Sequence, residues 1–148
     1  MSRIRVSAAP RSRRVPLPER RRLVRRARRV LAELGERGAE LSLVLAADPE
    51  MAELNARFRG RAGPTDVLSF SLLEGDCREH RGALLGDVVI ALGVARRQAE
   101  ARGHDLEAEC RRLLVHGVLH LLGYDHVRPE QARRMRAKER ALWRHLVG

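Results

Sequence analysis

The stretch HDLEAECRRLLVHGVLHLLG, residues 104–123, decides how the chain is read. Leu106, Cys110, Leu113, Leu114 and Val118 recur three or four residues apart, the spacing of one face of an α-helix. His104 or Asp105 offers a start signal and Gly123 a stop signal, so the stretch predicts one long helix with an apolar face turned to the core. The flanking sequence supplies strands. TDVLSFS (65–71) and LLGDVVIAL (84–92) read as strands joined by a polar, Gly-containing excursion from Glu74 to Gly82. LSLVLAA from Leu41 is a buried strand by length and aliphatic content, and near the N-terminus Ile4, Val6 and Ala8 alternate with Arg3, Arg5 and Ser7 as in a strand with one buried face.

The remaining segments read as helices. PERRRLVRRARRVLAELGERG places Leu23, Ala27, Val30, Leu31 and Leu34 on one face, and the arginines take the other. Asp48 followed by Pro49 predicts an N-cap with proline at the first helical position, opening a helix that runs to about Arg59. GVARRQAEARG gives a short helix ending at Gly103, and PEQARRMRAKERALWRHLVG from Pro129 gives a last amphipathic one with Met135, Leu142 and Leu146 inward. The expectation is an α/β (α+β) fold, a single domain over residues 1–148 with a small mixed sheet of about four strands and about five helices.

Composition narrows the class. With 148 residues the chain can bury roughly two thirds of its unfolded surface. Its 44% hydrophobic and 33% charged content fits a globular protein, and no uninterrupted apolar run is long enough for a membrane span. The opening residues lack the apolar core of a secretory signal. The two cysteines, Cys77 and Cys110, form no C-x-x-C pair, which argues against a disulfide framework or a thiolate zinc site and fits a reducing cytoplasm. A formal charge of +11 draws the chain toward polyanions, with nucleic acid the leading partner class. All but Lys138 of the 30 basic residues are arginine, however, a bias that coding preference can also produce.

Three of the six histidines fall in HGVLHLLGYDH, residues 116–126. His116 and His120, four apart, stand on one helical face and present two imidazoles to one point. If Gly123 ends the helix in a left-handed turn, His126 can return to the same point as a third ligand. Three neutral imidazoles leave the fourth tetrahedral position of a Zn²⁺ ion open, the arrangement of a catalytic rather than a structural site. A lone histidine on an apolar face is more often satisfied by a backbone carbonyl, but three at this spacing favour a metal. His80, His104 and His145 stand where surface roles are commoner. The spacing of four and six also occurs in H-E-x-x-H-x-x-G-x-x-H metalloproteases, whose Glu accepts a proton from water at the metal. Gly117 stands in that place here and disfavours peptide hydrolysis.

Taken whole, HGVLHLLGYDH resembles the signature of the YbeY family of bacterial single-strand endoribonucleases. LNARFRGRAGPTDVLSF (54–70) and LGDVVIA (85–91) resemble two further blocks of that family, in the same order. The resemblance implies one Zn²⁺ held by His116, His120 and His126, an essential Arg59, and cleavage of RNA phosphodiesters in 16S ribosomal RNA 3′-end maturation and ribosome quality control. It implies as partners the 16S precursor and the small ribosomal subunit, with a ribosomal protein or an assembly GTPase as further candidates and no membrane. Phosphodiester cleavage builds negative charge on non-bridging oxygens, which a guanidinium stabilises through paired hydrogen bonds. Without the resemblance Arg59 would read as a solvated arginine at a helix end. Asp66 and Asp87 lie in matched blocks but suit a strand-end cap or a backbone contact better than a base, and Asp125 suits either a turn or a hydrogen bond to a ligand imidazole. Along the first helix Arg20, Arg21, Arg25 and Arg28 are weak candidates for RNA contact, the ordinary reading being a solvated face. The competing function is a ribosome-binding assembly factor with a structural metal, and a metalloprotease ranks below it.

Overall fold

The computed structural model describes residues 3–8, 17–36, 38–71, 84–124 and 128–146. The described chain runs β1 (Arg3–Ala8), α1 (Leu17–Glu33), β2 (Glu40–Ala46), α2 (Asp48–Arg59), β3 (Val67–Ser71), β4 (Leu84–Ala91), α3 (Leu92–Arg102), α4 (Leu106–Leu121) and α5 (Pro129–Leu146). The four strands form one sheet in the order β1-β2-β4-β3, with β1, β2 and β4 parallel and β3 antiparallel along the β4 edge. Five helices and a small mixed sheet agree with the class expected. The polar excursion 74–82 and the side chains of β1 lie outside the described residues.

The two faces of the sheet are covered unequally. Leu41, Leu43 and Leu45 of β2 and Leu85, Val88 and Ile90 of β4 join Leu23, Ala27, Val30 and Leu31 of α1 and Leu113, Leu114, Val118 and Leu121 of α4 in the main core. Met135 and Leu142 bring α5 onto it, while the side chain of Leu146 lies outside the described residues. On the opposite face Met51 of α2 packs with Ala46, Leu68, Val89 and Ala91 in a smaller cluster. Removal of a Leu-sized side chain from water is worth about 1.5–3 kcal/mol, so the α1/α4 face carries most of the hydrophobic stabilisation.

Helix α4 is bounded by two caps. At its start the Asp105 carboxylate accepts from the Ala108 backbone N–H at 2.8 Å, which selects Asp105 over His104 as the start signal. At its end the Tyr124 N–H reaches the Leu119 carbonyl and the Gly123 N–H the His120 carbonyl, both at 3.0 Å, with Gly123 at φ +96°. These are the paired bonds of a Schellman turn, and they require the left-handed residue that glycine supplies. The start of α2 differs from expectation. Its cap is Ala47, whose N–H donates to the Glu50 carboxylate at 3.1 Å, and Asp48 is the first helical residue. Asp48 instead turns its carboxylate to Arg97 of α3, at 2.8 Å, which leaves the Ala47 backbone to make the cap through Glu50.

Two glycines set how closely α4 lies on the sheet. Gly86 occupies an irregularity in which Glu40 pairs with Leu84 and Leu41 with Gly86, and its φ is +146°. A Cβ there would fall 2.1 Å from the Phe70 carbonyl oxygen and 3.0 Å from Leu121 Cδ2. Gly117, in the middle of α4, faces β4 and β3, where a Cβ would fall 2.7 Å from Val88 Cγ1 and 3.2 Å from Ser69 Oγ. Val88 is a fully buried β-branched residue, stiff about χ1. Gly117→Ala is therefore expected to lower stability despite its better helix propensity. Overpacking costs about 1–3 kcal/mol against a propensity gain of about 1 kcal/mol. Urea unfolding checks this, and an unchanged or raised midpoint would show that α4 has room to step back.

Candidate metal centre

On the face of α4 next to Gly117 stand His116 and His120, both half-buried. Their Nε2 atoms stand 3.2 Å apart, with the rings at 75° to each other. Two ligands at zinc–nitrogen distances of about 2.05 Å and this separation subtend about 103° at the ion, near the tetrahedral angle. The donor set and its bite thus fit a zinc ion bound by these two residues. Among the described residues no third His, Cys, Asp or Glu completes a metal-holding group with them. His126, the third member of the expected trio, and Asp125 fall on 125–127, outside the described residues.

Sequence reading missed a partner of this pair. Glu139 of α5 places Oε1 3.0 Å from His116 Nδ1. Its only sequence signal is a position on the inward side of an amphipathic helix, one turn from the buried Met135 and Leu142.

Arg59 ends α2, followed by Gly60 in the left-handed conformation. Its guanidinium is exposed and donates to the Ser69 carbonyl of edge strand β3 at 3.1 Å. The Ser69 hydroxyl in turn donates to the Gly117 carbonyl at 3.0 Å. Ser69 thereby joins the arginine to the helix segment between the two histidines. The motif around Arg59 holds its own loop: buried Asn55 donates to the Gly63 carbonyl at 2.9 Å, and Phe58 packs edge-on against Phe70 with centroids 5.2 Å apart. Asp66 acts on backbone, as its position suggests. Its carboxylate accepts from the Val67 N–H at 2.8 Å and its carbonyl from the Ala91 N–H at 2.9 Å. Asp87 pairs in register with Phe70.

Further along α4 lies a charged network that the sequence did not announce. Glu109 is fully buried, and its carboxylate takes Nε and Nη2 of Arg112 at 3.0 and 2.5 Å and His104 Nε2 at 2.5 Å. Arg112 also donates to Gln98 of α3 at 3.3 Å and lies 3.8 Å from Asp66, so loop, α3 and α4 meet there. Burial alone would raise the Glu109 carboxyl, but the hydrogen bonds from Arg112 and His104 and the charges of Arg112 and Arg102 outweigh it and hold it below the usual range.

The arginines of α1 form a second polar feature. Arg22, Arg25, Arg26 and Arg29 line a hollow of about 470 Å³ with Glu107, which pairs with Arg22 at 3.6 Å and Arg26 at 3.4 Å. Of the candidates from sequence, Arg25 lines it, and Arg21 and Arg28 are exposed on the same helix. The side chain of Arg20 lies outside the described residues. Glu107 precedes His116 by nine residues, about 14 Å along the helix and half a turn round it, so the hollow is separate from the histidine pair.

A folded-state Glu109 with a lowered pKa stabilises the protein fully above its unfolded value of about 4.3 and loses that contribution as pH falls through the lower folded value. The stability advantage of the native chain over Glu109→Gln should therefore be constant near neutrality and shrink below pH about 4.3. Denaturant unfolding across that range measures it, and a pH-independent difference would contradict the network's charge assignment.

The family model for endoribonuclease YbeY matches residues 9–147. A curated endoribonuclease YbeY from Anaeromyxobacter sp. (strain Fw109-5) is 50% identical over 124 residues, covering 84% of this chain and 63% of that protein. One from Salinispora tropica is 47% identical over 131 residues, covering 80% of this chain and 83% of its own. The chain thus spans somewhat less than two thirds of the Anaeromyxobacter relative and most of the Salinispora one. Among solved structures, the solution structure of a Thermotoga maritima protein superposes with a TM-score of 0.59 at 25% identity, over 96% of this chain and 90% of that one. No described helix is long and apolar enough to cross a membrane.

Proposed function

Since the chain belongs to the YbeY endoribonuclease family, we propose that it is a zinc-dependent single-strand endoribonuclease of the cytoplasm, acting in 16S ribosomal RNA 3′-end maturation and ribosome quality control. The observation that carries the reading is the 3.2 Å separation of the His116 and His120 Nε2 atoms on one helical face. His116, His120 and His126 would hold the ion, which when bound supplies a Lewis acid for a phosphoryl oxygen and lowers the pKa of water. The precursor 16S RNA on the small ribosomal subunit is the proposed substrate, with a ribosomal protein or an assembly GTPase as its companion.

In this reading Arg59 supplies what α4 lacks. Its exposed guanidinium keeps one nitrogen on the Ser69 carbonyl, and its remaining donors can meet the charge that builds on the scissile phosphate. The Ser69 bridge to Gly117 limits where that guanidinium can stand relative to the histidines. No side chain at 117 can act as the protease-type base, and the space there is already taken by Val88 and Ser69. The arginine hollow on α1, with one carboxylate against four guanidiniums, offers a positively charged surface to RNA outside the cleavage site.

His120→Ala is expected to lose stoichiometric zinc on elemental analysis. Arg59→Ala should retain zinc yet cleave single-stranded RNA about 10²–10³-fold more slowly, as when one transition-state donor is removed. Cleavage by nuclease-free native protein should stop with chelator. Tightly bound zinc without chelator-sensitive cleavage would point instead to an assembly factor with a structural metal. Independently, replacing Arg25 and Arg29 by Ala should make the dependence of log Kd on log salt shallower by about 1.4 for single-stranded RNA. An unchanged slope would remove the α1 hollow from the RNA path.

A further inference from the structure

The Glu139 contact assigns a residue outside the matched motifs to the centre. An ionised carboxylate only accepts hydrogen bonds, so the His116 nitrogen that faces it, Nδ1, carries the proton. The lone pair of neutral His116 then resides on Nε2, the atom that stands 3.2 Å from His120 Nε2. With the opposite tautomer His116 would turn a proton toward that point and could not ligate there. We infer that Glu139 is a positioning residue of the histidine centre, fixing the tautomer and ring orientation of His116 from α5. The inference rests on the reading of His116 and His120 as metal ligands.

The placement of α5 gives the contact further reach. Its first residue, Pro129, follows His126 by three positions, and its Met135 and Leu142 are buried against the main core. Glu139 lies between those two anchors, one turn from each, so the carboxylate is delivered by a helix already held on both sides. Carboxylates that hold metal-ligating imidazoles in this way are worth about 10–100-fold in metal affinity.

The test uses the full chain and zinc alone, with affinity measured by competition against a chromophoric chelator and the His116 tautomer read from ¹⁵N chemical shifts in the zinc-free protein. Native protein should show His116 as the Nδ1–H tautomer. Glu139→Ala should lose that preference and bind zinc about 10–100-fold more weakly. Glu139→Gln, which keeps an acceptor and the side-chain shape, should restore part of both and serves where the alanine variant folds poorly. A folded Glu139 variant with native tautomer and native zinc affinity would overturn the inference. Failure of the native protein itself to bind zinc would overturn the ligand reading instead, while the tautomer measurement would still report whether Glu139 acts on His116.

Discussion

The contact on which the rest of the structure depends is the close seating of α4 on β3 and β4 at Gly117. A side chain at that position would fall 2.7 Å from Val88 Cγ1 and 3.2 Å from Ser69 Oγ, the same Ser69 whose hydroxyl meets the Gly117 carbonyl at 3.0 Å. Three things follow from one missing Cβ. The apolar face of α4 reaches the sheet, His116 and His120 stand on the neighbouring face, and β3 is tied to the helix through a polar bond. Because interiors are close-packed and resist adjustment, a shift here would propagate to both histidines together.

The two ends of α4 are held by different chemistry, and each suits its surroundings. The C-terminal end needs a sharp reversal, which the backbone bonds of the Schellman turn and the left-handed Gly123 supply without side-chain partners. The N-terminal end is held by charge. Glu109 is buried beside Arg112, His104 and Arg102, and Arg112 passes the connection to Gln98 and toward Asp66. A buried carboxylate is tolerated only with its lone pairs satisfied, and the price in stability is offset by geometry, since the network fixes the loop that leads into β3. Ser69, two residues beyond the start of β3, is where that loop's placement meets Arg59.

Much of this was legible in the sequence, and the residues show why. Apolar spacing identified the buried faces of α1, α4 and α5 because periodicity is a local property, and Gly123 and Asp105 were readable as caps because cap chemistry is local too. The cap of α2 was misplaced by one residue because Asp48 has a partner 49 residues away in Arg97, a tertiary contact that local rules do not contain. The same limit hid Glu109 and Glu139. A glutamate in a helix surrounded by arginines reads as solvent-facing, and only the packing of α3 and α5 against α4 shows otherwise. Arg59 and the trio containing His126 came from motif and resemblance. Of them, the fold places Arg59, His116 and His120 on connected elements.

Gly117 also changes the comparison with the metalloproteases that share the histidine spacing. Read along the sequence, the glycine is a missing base. In the fold it is the residue that lets the histidine-bearing helix lie against the sheet, so a carboxylate could not be restored there without displacing Val88. Chemistry on the open side of α4 must therefore draw its charged groups from other elements. Arg59 bonds edge strand β3 at Ser69, whose hydroxyl reaches α4, and Glu139 of α5 bonds α4 directly at His116, neither by adjacency in sequence. A short helix face with two imidazoles thus gains an arginine linked to it through Ser69 and a carboxylate for a ring nitrogen, while its own sequence remains apolar enough to be buried.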